Sequence, residues 1–242
     1  MTRDDGVDSL VPGAVNFRDV GGLPAGASRT RSGVLFRSGN LARLQDAGVG
    51  ALRDLGVRRI IDLRADEEVV YAPSQIAGLE VETTRIPLFL GSVQSFFEDD
   101  MSLDDMYRTL VDESAEGIVG VVRGVINDQP VLVHCTVGKD RTGVTVAFTL
   151  AAAGVDLEAV VVDYARTESL LPQWRNRAVV DALRAQHPEA VHLEDLATRS
   201  PAPVMSALLA GVGERYGSVA DYLRAHGMGD DELVELRRVL IA

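Results

Sequence analysis

The chain carries a single cysteine, Cys135, among 242 residues. That excludes an intramolecular disulfide and is compatible with a reducing compartment. Basic residues are also short: 24 Lys plus Arg stand against 36 Asp plus Glu, a formal charge of −12. This balance opposes general nucleic-acid binding, which leaves a basic footprint, and it opposes broad adhesion to anionic membranes. No apolar run reaches the roughly 18 residues that a membrane-spanning helix needs. The opening "MTRDDGVDSLVPGAVNF" lacks the apolar stretch of a secretory leader. The chain reads as cytoplasmic, with leaderless export left open. His134 and Cys135 have no complementary cluster of ligands, so neither a metal nor a cofactor is expected.

What is present is ordinary globular material: 46% apolar and 25% charged residues. A chain of this length can bury a sizeable core without disulfide or metal support. "VRRIIDL" (Val57–Leu63) and "VLVHC" (Val131–Cys135) are short, apolar and β-branched, each following a turn signal at Gly56 or Pro130. "VETTRIPL" (Val81–Leu88) alternates as a third strand. Helical spacing covers Leu41–Gly56 and Glu116–Asp128 between them. Strand–helix alternation predicts an α/β domain with a largely parallel sheet flanked by helices. The front segment, with Gly21-Gly22 and Gly33, reads as a hairpin. Beyond Thr142 the pattern is helical: a segment to Gly154, one capped by Asp156, then Gln173–Gln186, Pro203–Tyr216, Ser218–Ala225 and Asp230–Leu240. No repeat or low-complexity linker divides the chain, so residues 1–242 are expected to form one domain with a helical C-terminal half.

The chemistry concentrates in "PVLVHCTVGKDRTGVTVAF" (Pro130–Phe148). An apolar strand ends at His134, a seven-residue loop "CTVGKDR" follows, and a helix is expected near Thr142. Open α/β sheets place ligands at such strand–loop–helix turns. Inward-pointing amides and the helix dipole make an anion site there. Gly138 permits a backbone conformation that a Cβ disfavours. Arg141 can grip two phosphate oxygens with its planar fork. A thiolate at the base of this cradle, Cys135, is placed to attack phosphorus and form a phosphocysteine. Loop amides and Arg141 would stabilise the transferred oxygens without a metal. Thr136, Val137, Gly138, Lys139, Asp140, Arg141 and Thr142 are the expected phosphate-binding residues. His134 is expected to orient the loop rather than act as a base. A nucleotide P-loop is excluded, because it needs glycine where Val133 stands and Ser or Thr where Asp140 stands.

"HCTVGKDRTG" resembles the His-Cys-x5-Arg signature of protein tyrosine phosphatases, in the Gly-Lys-Asp-Arg-Thr-Gly form of a bacterial tyrosine phosphatase family. "PGAVNFRDVGG", "GVLFRSGNLARL", "LGVRRIIDLRADEEV", "VVDYARTES" and "YGSVADYLRAHGM" are similar to that family too, so the resemblance spans most of the chain. It implies a tyrosine/dual-specificity phosphatase-like fold and a phosphorylated protein or phosphoinositide as substrate; no nucleic acid partner and no stable membrane insertion are expected from the charge and the apolar runs above. It also implies pocket residues at Arg18, Arg37, Arg64 and Asp163, although ion pairs to Asp19 or Asp62 explain those arginines equally well and a solvated helix carboxylate explains Asp163 equally well. The segment from about residue 168 to 210 is similar to the family's pocket-covering lid; a packed helical subdomain is the plain alternative. Asp140 matches a motif aspartate and is the favoured proton donor, with Asp99 and Asp100 as alternatives. Phosphotyrosine and phosphoinositide both remain open, as does a non-catalytic phosphate-recognition module.

Overall fold

Short β-branched runs alternate with amphipathic segments through the first part of the chain, and the elements follow that alternation. The computed structural model describes residues 9–88 and 100–242. Strand β1 (Arg18–Asp19) precedes a small hairpin of β2 (Pro24–Ala25) and β3 (Ser28–Arg29), then β4 (Leu35–Ser38). Next come α1 (Asp46–Asp54), β5 (Arg59–Asp62), α2 (Asp66–Tyr71) and β6 (Glu82–Arg85). Helices α3 (Leu103–Glu113) and α4 (Ala115–Asn127) lead to β7 (Val131–His134) and α5 (Asp140–Ala152). The remainder is helical: α6 (Leu157–Leu170), α7 (Gln173–Gln186), α8 (Leu193–Thr198), α9 (Ala202–Tyr216), α10 (Val219–Ala225) and α11 (Asp230–Leu240).

The sheet order is β1-β4-β7-β5-β6. Only the β1–β4 pair is antiparallel; β4–β7, β7–β5 and β5–β6 are parallel. The strand leading to Cys135 is thus the middle one. His134 lies in register with Ser38 on one side and Asp62 on the other. Successive residues of the central strands enter opposite faces, as the pleat requires. Leu35, Ile61, Val131 and Val133 join the large core beneath α3 to α5 and the C-terminal helices. Phe36, Ile60 and Leu132 join a smaller core with Leu52 of α1 and Phe17. A parallel sheet covered on both faces explains why β7 reads as the apolar run Val131, Leu132, Val133 and why β5 carries Ile60-Ile61 between its charged ends.

Three expectations shift. The helix predicted over Leu41–Gly56 is confined to Asp46–Asp54, and Asn40 and its neighbours instead form a loop against the phosphate-loop candidate. Asp156 occupies the N-cap of α6, yet its side chain makes no cap; Oδ1 accepts from the Gly26 amide across the hairpin. The front segment is only partly a hairpin, because β4 leaves it to become an inner strand of the main sheet. Helices α2 and α8 are six residues each and leave little periodic signal, whereas α3 went unpredicted although Ser102 caps it and Leu103, Met106, Tyr107, Leu110 and Val111 recur at helical spacing. No described helix is long and apolar enough to cross a membrane.

Candidate active site

The loop from Cys135 to Lys139 joins the C-terminal end of β7 to the first turn of α5, so Asp140 and Arg141 are helical rather than part of the loop. Cys135 is 3% exposed. The Gly138 amide donates to its Sγ at 3.3 Å, which directs a backbone dipole at the sulfur. Gly138 has φ +73°, and a Cβ there would lie 2.3 Å from the Ser38 carbonyl oxygen. Only glycine meets both constraints, which gives the sequence motif its physical reason.

The loop is braced from behind by buried polar groups. Asn16 donates through Nδ2 to the Gly138 oxygen at 2.9 Å, and Arg37 donates to the same oxygen at 2.9 Å. The Thr136 oxygen accepts from the Asn40 amide at 3.1 Å and from its Nδ2 at 2.9 Å. Arg37 also bonds Asp163 Oδ2 at 2.8 Å, and Arg18 bonds Asp163 Oδ1 at 2.8 Å. Arg18 continues to the Asp163 carbonyl and to Thr167. Burial would raise the Asp163 carboxyl, but the charges of Arg37 and Arg18 hold it below the usual range. Burial and the neighbouring Arg37 charge bring Arg18 down to about 10. The structure therefore brings Arg18, Arg37 and Asp163 together as a scaffold that reaches the loop through Gly138. Arg64 lies apart from them. Its Nε and Nη2 meet Asp62 at 2.9 and 2.7 Å, and it also bonds Ala72 and Ser74, which is the ion-pair reading of that residue.

His134 is fully buried. Burial lowers its pKa, so the neutral ring donates through Nδ1 to the Cys135 carbonyl at 3.2 Å. That contact fixes the loop's first residue, consistent with an orienting role. Lys139 is 1% exposed, and its Nζ meets Asp140 Oδ1 at 2.6 Å. Tyr107 of α3 donates to the same Oδ1 at 2.8 Å and lies 2.8 Å from the Tyr164 hydroxyl. Burial, then the Asp140 carboxylate, raise the Tyr107 pKa well above its usual value, so it remains a donor. Asp140 Oδ2 has no hydrogen-bond partner among the described residues. The Asp140 side chain is 22% exposed, within reach of a ligand. Thr142 Oγ1 is buried and likewise unpartnered among the described residues. Asp100 Oδ1 accepts from the His192 amide at 2.8 Å, which ties it to the start of α8. Asp99 lies outside the described residues.

Sequence reasoning missed Asn16, Asn40 and Tyr107, and above all Glu68 of α2. Its Oε2 and Oε1 take Nη1 and Nη2 of Arg141 at 2.5 and 2.8 Å, and Oε1 also accepts from the Thr136 hydroxyl. Burial would raise the Glu68 carboxyl, but pairing with Arg141 wins and brings it down to about 2. The signal was the acid run in "RADEEV", which gave no reason to prefer one carboxylate over its neighbours. A group whose folded pKa lies below its ordinary 4.5 stabilises the fold above that pH. The contribution is lost as pH falls toward 2. Wild type should therefore melt higher than Glu68→Gln near neutral pH, and the difference should vanish across that acid window. Equal melting temperatures at neutral pH would show that the pair contributes nothing.

A cleft of about 500 Å³ adjoins the loop at Thr136 and is walled by α7 and the Gly13–Val15 and Asn40–Arg43 segments. Among the described residues no group of His, Cys, Asp and Glu side chains is arranged to hold a metal ion.

Residues 10–242 match the tyrosine phosphatase family. The chain is 32% identical over 274 residues to the triple specificity protein phosphatase PtpB of Mycobacterium tuberculosis, covering 96% of this chain and 98% of that protein. It is 30% identical over 213 residues to a tyrosine-protein phosphatase of Nostoc commune, covering 83% and 72%. Among solved structures, the core catalytic domain of the PP-IP phosphatase SIW14 from S. cerevisiae aligns with a TM-score of 0.42 and 16% identity, over 65% of this chain and 78% of that one. The family match over nearly the whole length agrees with a sulfur at the base of an amide loop and an arginine in the following helical turn: the chain belongs to the tyrosine phosphatase family.

Proposed function

We propose that the protein hydrolyses phosphate monoesters, phosphotyrosine foremost, through a phosphocysteine on Cys135. The observation that carries this is the Cys135 sulfur under the Gly138 amide at 3.3 Å, with Arg141 in the first turn of the helix that follows the loop. With Cys135 only 3% exposed, a phosphate reaches it best on a long side chain. In the first step Sγ attacks phosphorus, the P–O bond to the leaving group breaks, and the Asp140 carboxyl transfers its proton to that oxygen. In the second step water attacks the phosphocysteine, Asp140 accepts the water's proton, and the P–S bond returns its electrons to sulfur. Loop amides and Arg141 hold the equatorial oxygens throughout. Oδ2 is the atom of Asp140 free for this work, since Lys139 and Tyr107 occupy Oδ1. Helix α7, from the segment that resembles a lid, walls the cleft beside Thr136 and serves here as that cover.

The reading is tested by comparing catalytic efficiency on phosphotyrosine peptides, phosphoserine peptides and phosphoinositides, with Cys135→Ser as the blank. Binding without turnover of any of them would instead favour a phosphate-recognition module. Asp140→Asn should cost phenyl phosphate about a hundredfold or more. An aryl phosphate with a good leaving group should fall far less, and the basic limb of the pH–rate profile should flatten. Equal losses on both substrates, or a selective loss only in Asp99→Asn or Asp100→Asn, would remove Asp140 from the role.

A further inference from the structure

Asp140 opens α5 with its side chain 22% exposed, so its carboxylate must be held if one oxygen is to face a substrate. Lys139 and Tyr107 both hold Oδ1, at 2.6 and 2.8 Å. Lys139 is the preceding residue and moves with Asp140. Tyr107 is fixed independently, because it is fully buried in the core on α3. Its hydroxyl lies 2.8 Å from that of Tyr164, a second fully buried ring, on α6. The two rings meet edge-on, with centroids 6.1 Å apart. A phenol has one proton to donate. Tyr107 donates to Oδ1, so toward Tyr164 it must accept. The hydrogen bonds therefore run one way, from Tyr164 through Tyr107 to Asp140, and join three helices at one carboxylate oxygen. Gly143 makes room for this arrangement: a Cβ there would lie 3.1 Å from the Tyr164 ring. Burial, then the Asp140 charge, raise the pKa of both phenols, so both remain donors. Tyr222 provides the contrast. It is equally buried, but its hydroxyl donates to the Val111 carbonyl, which is all that a buried phenol requires.

We propose that Tyr107 and Tyr164 are positioning residues for proton transfer, a hydroxyl chain that pins Oδ1 of Asp140 and leaves Oδ2 to carry the proton for the leaving group. The inference rests on the reading of Asp140 as the proton donor and names what aims it. A proton placed on Oδ1 would displace one of the two donors already there, whereas Oδ2 accepts from no described residue. Without the Tyr107 hydroxyl, only the neighbouring Lys139 holds Oδ1, the carboxyl can turn, and either oxygen can take the proton. The charged groups that face Asp140 besides these are Arg141 on its own helix and Arg175 on α7. Replacing a tyrosine with phenylalanine changes neither of them, nor Lys139, and it keeps the packed ring.

The test compares Tyr107→Phe, Tyr164→Phe and the double variant with Tyr222→Phe, on phenyl phosphate and on an aryl phosphate with a good leaving group. Tyr107→Phe should lower kcat on phenyl phosphate about tenfold, the scale of one lost hydrogen bond. KM, and turnover of the good leaving group, should stay within about twofold. The basic limb of the pH–rate profile should move to higher pH, because a carboxylate that loses a donor gives up its proton less readily. Tyr164→Phe, which leaves every direct partner of Asp140 in place, should shift both readouts the same way by less. The double variant should be no worse than Tyr107→Phe, since Tyr164 acts through Tyr107. Tyr222→Phe should lower the melting temperature and change neither the substrate ratio nor the limb. Equal losses on both substrates with an unmoved limb would reduce Tyr107 to a packing role and overturn the proposal, as would wild-type behaviour of Tyr107→Phe. A loss that Tyr107→Phe adds to Asp140→Asn would show that Tyr107 does not act through Asp140, with the same result. If Asp140→Asn shows the leaving-group-selective loss and Tyr107→Phe does not, this inference fails and Asp140 remains the donor. If Asp140→Asn shows none, the donor reading fails and this inference falls with it.

Discussion

Cys135→Ser is expected to reduce turnover to background, a loss of at least about 10⁴-fold of the kind seen when a nucleophile is removed, while inorganic phosphate still binds. The sulfur is the one nucleophile at the base of the loop, and the chain has no second cysteine to replace it. Serine keeps the shape of the site but offers a hydroxyl, which is a weak nucleophile without an adjacent base. The neighbouring His134 is not placed to supply that base: its Nδ1 donates to the Cys135 carbonyl and its Nε2 faces Asp62 Oδ2 at 3.8 Å. In the proposed mechanism phosphate would be held by the loop amides and Arg141, which the substitution leaves in place. Stopped assays with calorimetry on the same sample separate the two effects. Appreciable turnover by a folded Cys135→Ser protein would end the covalent mechanism. The same lone thiol should make the enzyme sensitive to low peroxide, reversibly by added thiol, because no internal disulfide can trap the sulfenic acid. A chelator should leave activity unchanged.

The strand–loop–helix turn at Cys135 and the central sheet were legible in the sequence because local rules govern them. β7 is buried throughout and β5 from Ile60 onward, so the apolar residues at their centres read as strands. Cys135, Gly138 and Arg141 sit within seven residues, and each is required by chemistry or backbone geometry in one turn. The supports were harder to see because they come from far along the chain. Asp163 reaches Arg18 and Arg37 across 145 and 126 positions, and Tyr107 reaches Asp140 across 33. Asn16, Asn40 and Glu68 look like ordinary surface polar residues until the fold buries their partners. Arg64 shows the converse: its spacing from Asp62 already allowed the ion pair, and that pair occupies its Nε and Nη2 groups. The overlong helix at residues 41–56 has the same origin. Its first residues have helical spacing, but the Asn40 contacts to Thr136 draw the chain into a loop there.

Arg141→Lys should cost about a hundredfold to a thousandfold in kcat, the scale for losing a preorganised donor to a developing oxyanion. Arg141 uses Nη1 and Nη2 on the two oxygens of Glu68, and Nη1 also approaches the Leu63 carbonyl at 3.4 Å. Nη2 also approaches the Thr136 hydroxyl at 3.4 Å, so four of its five donors are engaged and Nε remains, with the two 3.4 Å contacts the weakest to exchange for phosphate oxygens. Pairing with Glu68 raises the Arg141 pKa despite burial, and the Cys135 charge adds to this. The guanidinium is thus fixed before substrate arrives, and little reorganisation is needed in the transition state. Lysine provides one point charge that cannot reach Glu68 and a phosphate in the same geometry. Glu68 would then be left half-satisfied beside Thr136, and its repulsion of the incoming dianion would be uncovered. Glu68→Gln keeps an acceptor for Arg141 and should cost only about tenfold, in keeping with the loss of one charge-assisted bond. Because Glu68 acts through Arg141, the double variant should be no worse than Arg141→Lys alone. Losses that multiply would show that the two residues act independently. An Arg141→Lys enzyme within tenfold of wild type would show that positive charge alone, without the fork, supports catalysis.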